Sequence, residues 1–149
     1  MQNKDEFTPS FDDLVVTLKS KLIPLFKKYN CQFAYLGGSW ATDQANWWSD
    51  IDVFVSIPGF TRIAENKTFE MLVALNTEAE QATGNSKLEI RVIDVLPIHV
   101  QFQIIAEGVI LFDKSEEVRL DHKERIMKLY YDHIIWYEKM LDRSLKQSK

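Results

Sequence analysis

The stretch from Cys31 to Ile57, CQFAYLGGSWATDQANWWSDIDVFVSI, constrains this chain more than any other. An apolar run, Phe33 to Leu36, ends in Gly37-Gly38-Ser39; ten residues, Trp40 through Ser49, follow before Asp50-Ile51-Asp52 opens a second apolar run. The pattern predicts strand, glycine turn, connector, strand. Side chains along a strand alternate faces, so Asp50 and Asp52 are expected on one side while Ile51, Val53 and Val55 project from the other.

Two carboxylates on one face, at the start of a strand whose back is apolar, make a hard-oxygen site suited to Mg²⁺. Gly37 and Gly38, lacking Cβ, let the backbone come close to a phosphate, and Ser39 adds a hydroxyl and an N–H at the entrance to a helix or turn. A phosphate cradle facing a carboxylate pair fits metal-assisted phosphoryl or nucleotidyl transfer. Gly-Gly turns and Asp-x-Asp pairs each occur singly as tight turns and solvated strand starts; the argument rests on their combination in this order.

Gly38-Ser39, ten residues, then Asp50-x-Asp52 resembles the signature of the nucleotidyltransferase superfamily that includes DNA polymerase beta and the aminoglycoside nucleotidyltransferases. The small size and the C-terminal part resemble, more narrowly, the minimal nucleotidyltransferases that act as antitoxins beside HEPN ribonuclease toxins. The resemblance implies an α/β (α+β) polymerase-beta-like palm, with a mixed sheet of about four to five strands flanked by helices and a long C-terminal helix. It also implies Mg²⁺ as cofactor and ATP as substrate, with Asp50, Asp52 and a third acid as catalytic metal ligands and Gly38 and Ser39 on the β/γ phosphates. The implied partner is a HEPN-type ribonuclease toxin, silenced when AMP is added to a tyrosine hydroxyl. Such proteins often continue Gly-Ser as Ala-Arg-Gly, whereas here Ala41 is followed by Thr42 and Asp43, so an arginine phosphate contact is absent or supplied elsewhere. Arg91 is a further cofactor-binding candidate.

The third acid comes from the segment Lys87 to Val95, expected as a strand, where Glu89 and Asp94 compete. Leu88, Ile90 and Val92 form an apolar set that should face the same helical layer as Ile51, Val53 and Val55, leaving Glu89, Arg91 and Ile93 on the opposite face. Parity favours Glu89; Asp94 needs a bulge to reach that face. The structural alternative for Glu89 is an ion pair with Arg91 or a lysine on a solvated face.

The flanking sequence supplies a frame. Ser10, with Asp13 three residues on, resembles a capping box, and Phe11, Leu14, Val15, Leu18, Leu22, Leu25, Phe26 and Tyr29 recur at helical spacing. Pro24 inside that pattern predicts a kink or break near Leu22. A helix from about Ile63 to Thr83, stopped by Gly84-Asn85, reads as a crossover, so part of the sheet should be parallel. Ile98 to Ala106 is read as a short helix carrying His99 in a surface or capping role, Val109 to Phe112 as a last short strand, and Ser115 as the start of a helix reaching about Leu145. That helix bears two apolar stripes, Ile126, Leu129, Tyr130, His133, Tyr137, Met140 and Leu141, then Met127, Tyr131, Ile134 and Ile135; the second is assigned to a partner or to burial.

A length of 149 residues with 46% hydrophobic side chains suffices for one core, so one nucleotidyltransferase domain over residues 1–149 is expected. With 18 basic and 22 acidic residues interspersed, the net charge of −4 argues against direct nucleic-acid binding or an anionic membrane surface. Cys31, the one cysteine, excludes an internal disulfide and is expected in the core. A polar N-terminus and the lack of a long apolar run point to the cytoplasm. Two other functions compete: a nucleotidyltransferase acting on a small molecule such as an aminoglycoside, and a degenerate antitoxin that binds its partner without turnover. Trp47 and Trp48, in the polar connector, are expected to leave at least one ring exposed to a partner or a base.

Overall fold

The computed structural model describes residues 10–41 and 50–147, with Ser39 described through its backbone. Helix α1 (Phe11–Lys28) starts at Ser10, whose hydroxyl accepts the Asp13 backbone N–H at 3.1 Å, as the capping pattern predicts. It buries Leu14, Leu18, Leu22 and Phe26, each stabilising by roughly 1.5–3 kcal/mol. Pro24 does not break it. Leu22 and Phe26 on either side are both fully buried, and their packing outweighs the roughly 3 kcal/mol cost of an interior proline, so of the expected kink or break the break is corrected to an unbroken helix.

Strand β1 (Phe33–Gly37) runs straight into the short helix α2 (Gly38–Ala41). Strand β2 (Ile51–Ser56) lies antiparallel to β1. A left-handed Gly59 and a 3₁₀ turn over Phe60–Arg62 then carry the chain into helix α3 (Glu65–Thr83), which begins later than the expected Ile63 and ends on Gly84 in the left-handed conformation. Strand β3 (Leu88–Val92) pairs parallel to β2, as a crossover requires. The remaining elements are α4 (Ile98–Glu107), β4 (Val109–Asp113), antiparallel to β1, and α5 (Glu116–Gln147). The sheet is four-stranded and mixed, in the order β3-β2-β1-β4.

Two cores lie on its two faces. Ala34, Leu36, Ile51, Val53, Val55, Leu88, Ile90 and Val92 pack against α1 and α3, as strand parity predicts. On the other face Phe33, Tyr35, Phe54 and Ile93 meet Ile104 of α4. Cys31 is buried at the foot of β1, its thiol pushed up to about 12 by desolvation. At the outer edge of β3, Asn76 of α3 stands in for a fifth strand: its Oδ1 accepts the Ile90 N–H at 2.8 Å and its amide donates to the Ile90 carbonyl at 3.1 Å. That closes the centre of an edge that would otherwise invite another chain.

The stripe reading of α5 needs correction. Burial follows one face of the helix, but only along its first half: His122 and Ile126 are buried and the Tyr130 ring stacks on Phe102 of α4 at 3.9 Å while Leu120 and Leu129 are exposed, and beyond it Tyr131, Ile135, Trp136, Tyr137, Met140 and Leu141 are all exposed. The body of the fold is too short to cover a helix of 32 residues, which runs about 48 Å.

Candidate active site

Gly37, Asp52 and Glu89 form one row across the sheet. Gly37 is the register partner of Asp52 between β1 and β2, and Asp52 that of Glu89 between β2 and β3. Neighbouring strands lie about 4.8 Å apart, so the parity argument that selected Glu89 corresponds to adjacency across the parallel pair. Asp50, just before β2, is exposed and lies within electrostatic reach of Asp52.

The glycines serve this row by what they lack. A Cβ on Gly37 would stand 2.5 Å from the Phe54 ring, and one on Gly38 2.7 Å from Oδ2 of Asp52. Gly38 also has φ +65°, a left-handed conformation that side chains resist. The chain therefore turns into α2 with its backbone laid against the Asp52 carboxylate, leaving room that any other residue would fill.

Burial raises the pKa of Asp52; Arg91 opposes the rise, and the negative charges of Glu89 and Asp50 add to it. Glu89 is turned to Arg91, whose Nε donates to Oε1 at 3.0 Å, with both side chains about half exposed. The ion-pair alternative for Glu89 is thus present alongside its place in the row. Among the described residues no three acidic or histidine side chains converge closely enough to hold a metal ion as they stand. The donor set still fits Mg²⁺ in kind: hard carboxylate oxygens, like-charged and partly desolvated, beside a glycine backbone that leaves space at Oδ2.

Asp94 is excluded from the row. The expected strand stops at Val92, and Asp94 lies in a 3₁₀ turn over Ile93–Val95, where its Oδ2 accepts the Ile57 N–H and the Ser56 hydroxyl lies 3.1 Å from both its oxygens. No bulge brings it round. The Ser39 side chain, Thr42, Asp43, Trp47 and Trp48 lie outside the described residues.

Residues not singled out in the sequence hold the α5 side of the sheet. His122 Nε2 lies 3.0 Å from Oε1 of Gln101, and Arg119 Nε donates to Asp113 at 2.7 Å. The signal was available, since His122 lies four residues before Ile126 on the same helical stripe.

A mixed sheet with a Gly-Gly turn opposite an Asp-x-Asp strand defines a nucleotidyltransferase palm. The model of the polymerase beta nucleotidyltransferase family matches residues 20–117, and the chain belongs to that family. Its fold is similar to a chain in the crystal structure of a toxin–antitoxin complex with AMP-PNP (TM-score 0.66, 17% identity, covering 85% of this chain and 98% of that one). It is also similar to one in the complex of a tri-AMPylated Shewanella oneidensis HEPN toxin with an MNT antitoxin (TM-score 0.63, 16% identity, 88% and 98% covered). A third likeness is to a chain of an MntA–HepT toxin–antitoxin structure (TM-score 0.60, 16% identity, 85% and 96% covered). No curated protein sequence matches the chain.

Proposed function

We propose that this chain is an antitoxin that transfers AMP from ATP to a hydroxyl, a tyrosine's, of a HEPN-type ribonuclease toxin in the cytoplasm, and thereby neutralises it. The observation that carries the reading is the Gly37–Asp52–Glu89 row with the Gly38 backbone laid against Asp52. The toxin–antitoxin complexes whose chains share this fold, one with AMP-PNP and one with a tri-AMPylated toxin, support the choice of nucleotide and acceptor.

Asp50, Asp52 and Glu89 are the residues that would hold Mg²⁺. Bound there, the ion would neutralise the triphosphate and favour in-line departure of pyrophosphate. The protein's own work is placement. Gly38 and Ser39 present backbone N–H groups to the β/γ phosphates at the start of α2. Arg91 balances negative charge beside Asp52, replacing the arginine missing after Ala41. Glu89, at the solvent edge of the row, accepts the proton of the attacking hydroxyl as its oxygen bonds to the α-phosphorus and pyrophosphate leaves.

Intact-mass measurement of the co-expressed toxin decides the matter. Wild-type protein should add AMP and Asp52→Asn should not. A toxin neutralised yet unmodified by the wild type would replace this reading with binding alone.

A further inference from the structure

Along the outer edge of β3 a groove of about 660 Å³ opens against α3. Phe69, Leu72 and Val73 of α3 line it together with Val95 and Leu96, just past the strand. Phe69 is 69% exposed, Val95 53% and Val73 50%, so apolar surface is gathered there with nothing over it among the described residues. Glu89 and Arg91 lie on the same groove, which makes it continuous with the candidate active site.

The groove has a direction. The turn at Gly84 joins the end of α3 to the start of β3, so the two elements run in opposite senses, with Asn76 level with Ile90. Thr77 and Glu80 therefore lie toward Glu89, and Phe69 and Val73 toward Val92. From Glu89 to Val92 is three strand steps, about 10 Å. Asn76 already occupies both backbone groups of Ile90, so a visiting chain cannot extend the sheet through that point, and its side chains have to supply the hold.

The row sets what enters. In an in-line displacement the attacking oxygen and the departing pyrophosphate stand on opposite sides of the phosphorus. With the β/γ phosphates at Gly38, on the β1 side of Asp52, the attacking hydroxyl comes from the β3 side, where Glu89 and the groove are. Charge points the same way. Of the charged residues described along the groove, Glu89 and Arg91 pair with each other and Glu80 is left in excess, which disfavours a phosphate-bearing occupant.

We infer that this groove is the acceptor site: it takes a segment of the acceptor polypeptide that presents its hydroxyl at Glu89 and seats a large apolar side chain, about three residues from that hydroxyl, against Phe69, Val73 and Val95. The inference rests on the AMP transfer proposed above and adds what selects the acceptor. Phe69, Val73 and Val95 touch the acceptor chain and not the reacting atoms.

The test has two arms. In the first, AMP transfer to the purified HEPN-type toxin is followed at steady state. Val73→Asp should raise the KM for toxin about tenfold, while kcat and the calorimetric ATP·Mg²⁺ affinity change by less than about twofold. Val73→Ile, which keeps an apolar side chain at an exposed position, should behave as wild type. The second arm needs no catalysis. Acetyl-Tyr-Ala-Ala-Leu-amide or its reversed sequence, titrated into methyl-labelled protein, should move the Leu72, Val73 and Val95 methyl resonances saturably by NMR, and the same peptide with serine in place of leucine should bind about tenfold more weakly. Saturable, leucine-dependent shifts with no AMP added to toxin by the wild type would refute the transfer and keep the groove as a site for such a segment. An unchanged KM in Val73→Asp, with the wild type transferring AMP, would overturn the groove and keep the transfer. Equal binding of the two peptides overturns the groove as well. So does a loss of ATP·Mg²⁺ affinity in Val73→Asp, which would give the groove to the adenine base, or self-association that Val73→Asp abolishes in sedimentation, which would give it to a second copy of the chain.

Discussion

Gly38 and Asp52 meet so closely that a methyl group on the first would stand 2.7 Å from Oδ2 of the second. The contact joins the turn that should hold phosphate to the carboxylate that should hold metal. Gly38→Ala is therefore expected to cost about 1–2 kcal/mol from its left-handed φ alone. The larger effect should fall on function: the variant melts cooperatively at a somewhat lower temperature, while calorimetry finds ATP·Mg²⁺ affinity reduced about tenfold or more. Unchanged affinity in a folded variant would remove Gly38 from the phosphate site.

Asp52 should trade stability for activity. Its folded pKa is raised, first by burial, so the fold favours the neutral acid; its contribution to stability is present below the unfolded value of 3.8 and is lost as pH rises through the folded value. At neutral pH the ionised group is a net cost. Asp52→Asn should thus melt higher than wild type at pH 7 without ligand while losing AMP transfer. In the wild type, nucleotide binding should fall as pH drops through a value above 3.8. Arg91→Ala should move that limb higher, because Arg91 opposes the rise.

Glu89 and Asp94 should separate cleanly. Glu89→Gln disrupts an exposed ion pair, so stability should change by no more than about 0.5 kcal/mol while transfer is abolished. Asp94→Asn alters the acceptor for the Ile57 N–H and should cost about 1–3 kcal/mol, with a milder loss of transfer. The reverse pattern, in paired melting and mass measurements, would take Glu89 out of the site.

What the sequence revealed depended on period and punctuation. The alternation of Ile51, Val53 and Val55 against Asp52 fixed the faces of β2, and the same parity in Leu88, Ile90 and Val92 placed Glu89 beside Asp52 before any register was known. Gly84 and Ser10 marked helix ends because their chemistry is local. Tertiary effects stayed hidden. Of the kink or break that Pro24 forecast, the buried neighbours Leu22 and Phe26 prevent the break, and β3 ended early because Asp94 found partners on Ser56 and Ile57, thirty-eight and thirty-seven residues away. Nothing in a helical stripe says where the body beneath it stops, so the projecting half of α5 was invisible too.

His122 should make stability depend on pH. Burial lowers its pKa below 6.5, with Asp94 opposing and Arg125 reinforcing the shift, so the neutral ring is favoured in the fold. A depressed folded value means stability is fully present above 6.5 and is lost as pH falls from there through the folded pKa. Melting temperatures should decline over that window. His122→Phe should flatten the decline while costing about 1–3 kcal/mol for the orphaned Gln101 carbonyl. An equal slope in both proteins would assign the pH dependence to another group.

The projecting half of α5 provides the last prediction. Trp136 is 56% exposed, and Met140 and Leu141 each 47%. Large apolar side chains held out in this way stabilise the fold little, so Trp136→Ala and Leu141→Ala should each shift stability by no more than about 0.5 kcal/mol. Tryptophan buried at an interface is another matter, since its removal there commonly costs 2 kcal/mol or more, about thirtyfold in affinity. If this segment grips the proposed toxin partner, Trp136→Ala should weaken that complex by about that factor while leaving ATP·Mg²⁺ affinity unchanged. Titration calorimetry with toxin and with nucleotide reads the two effects separately. Full toxin affinity in both variants would move the recognition surface off α5, and a parallel loss of nucleotide affinity would show that the helix supports the site instead of the partner.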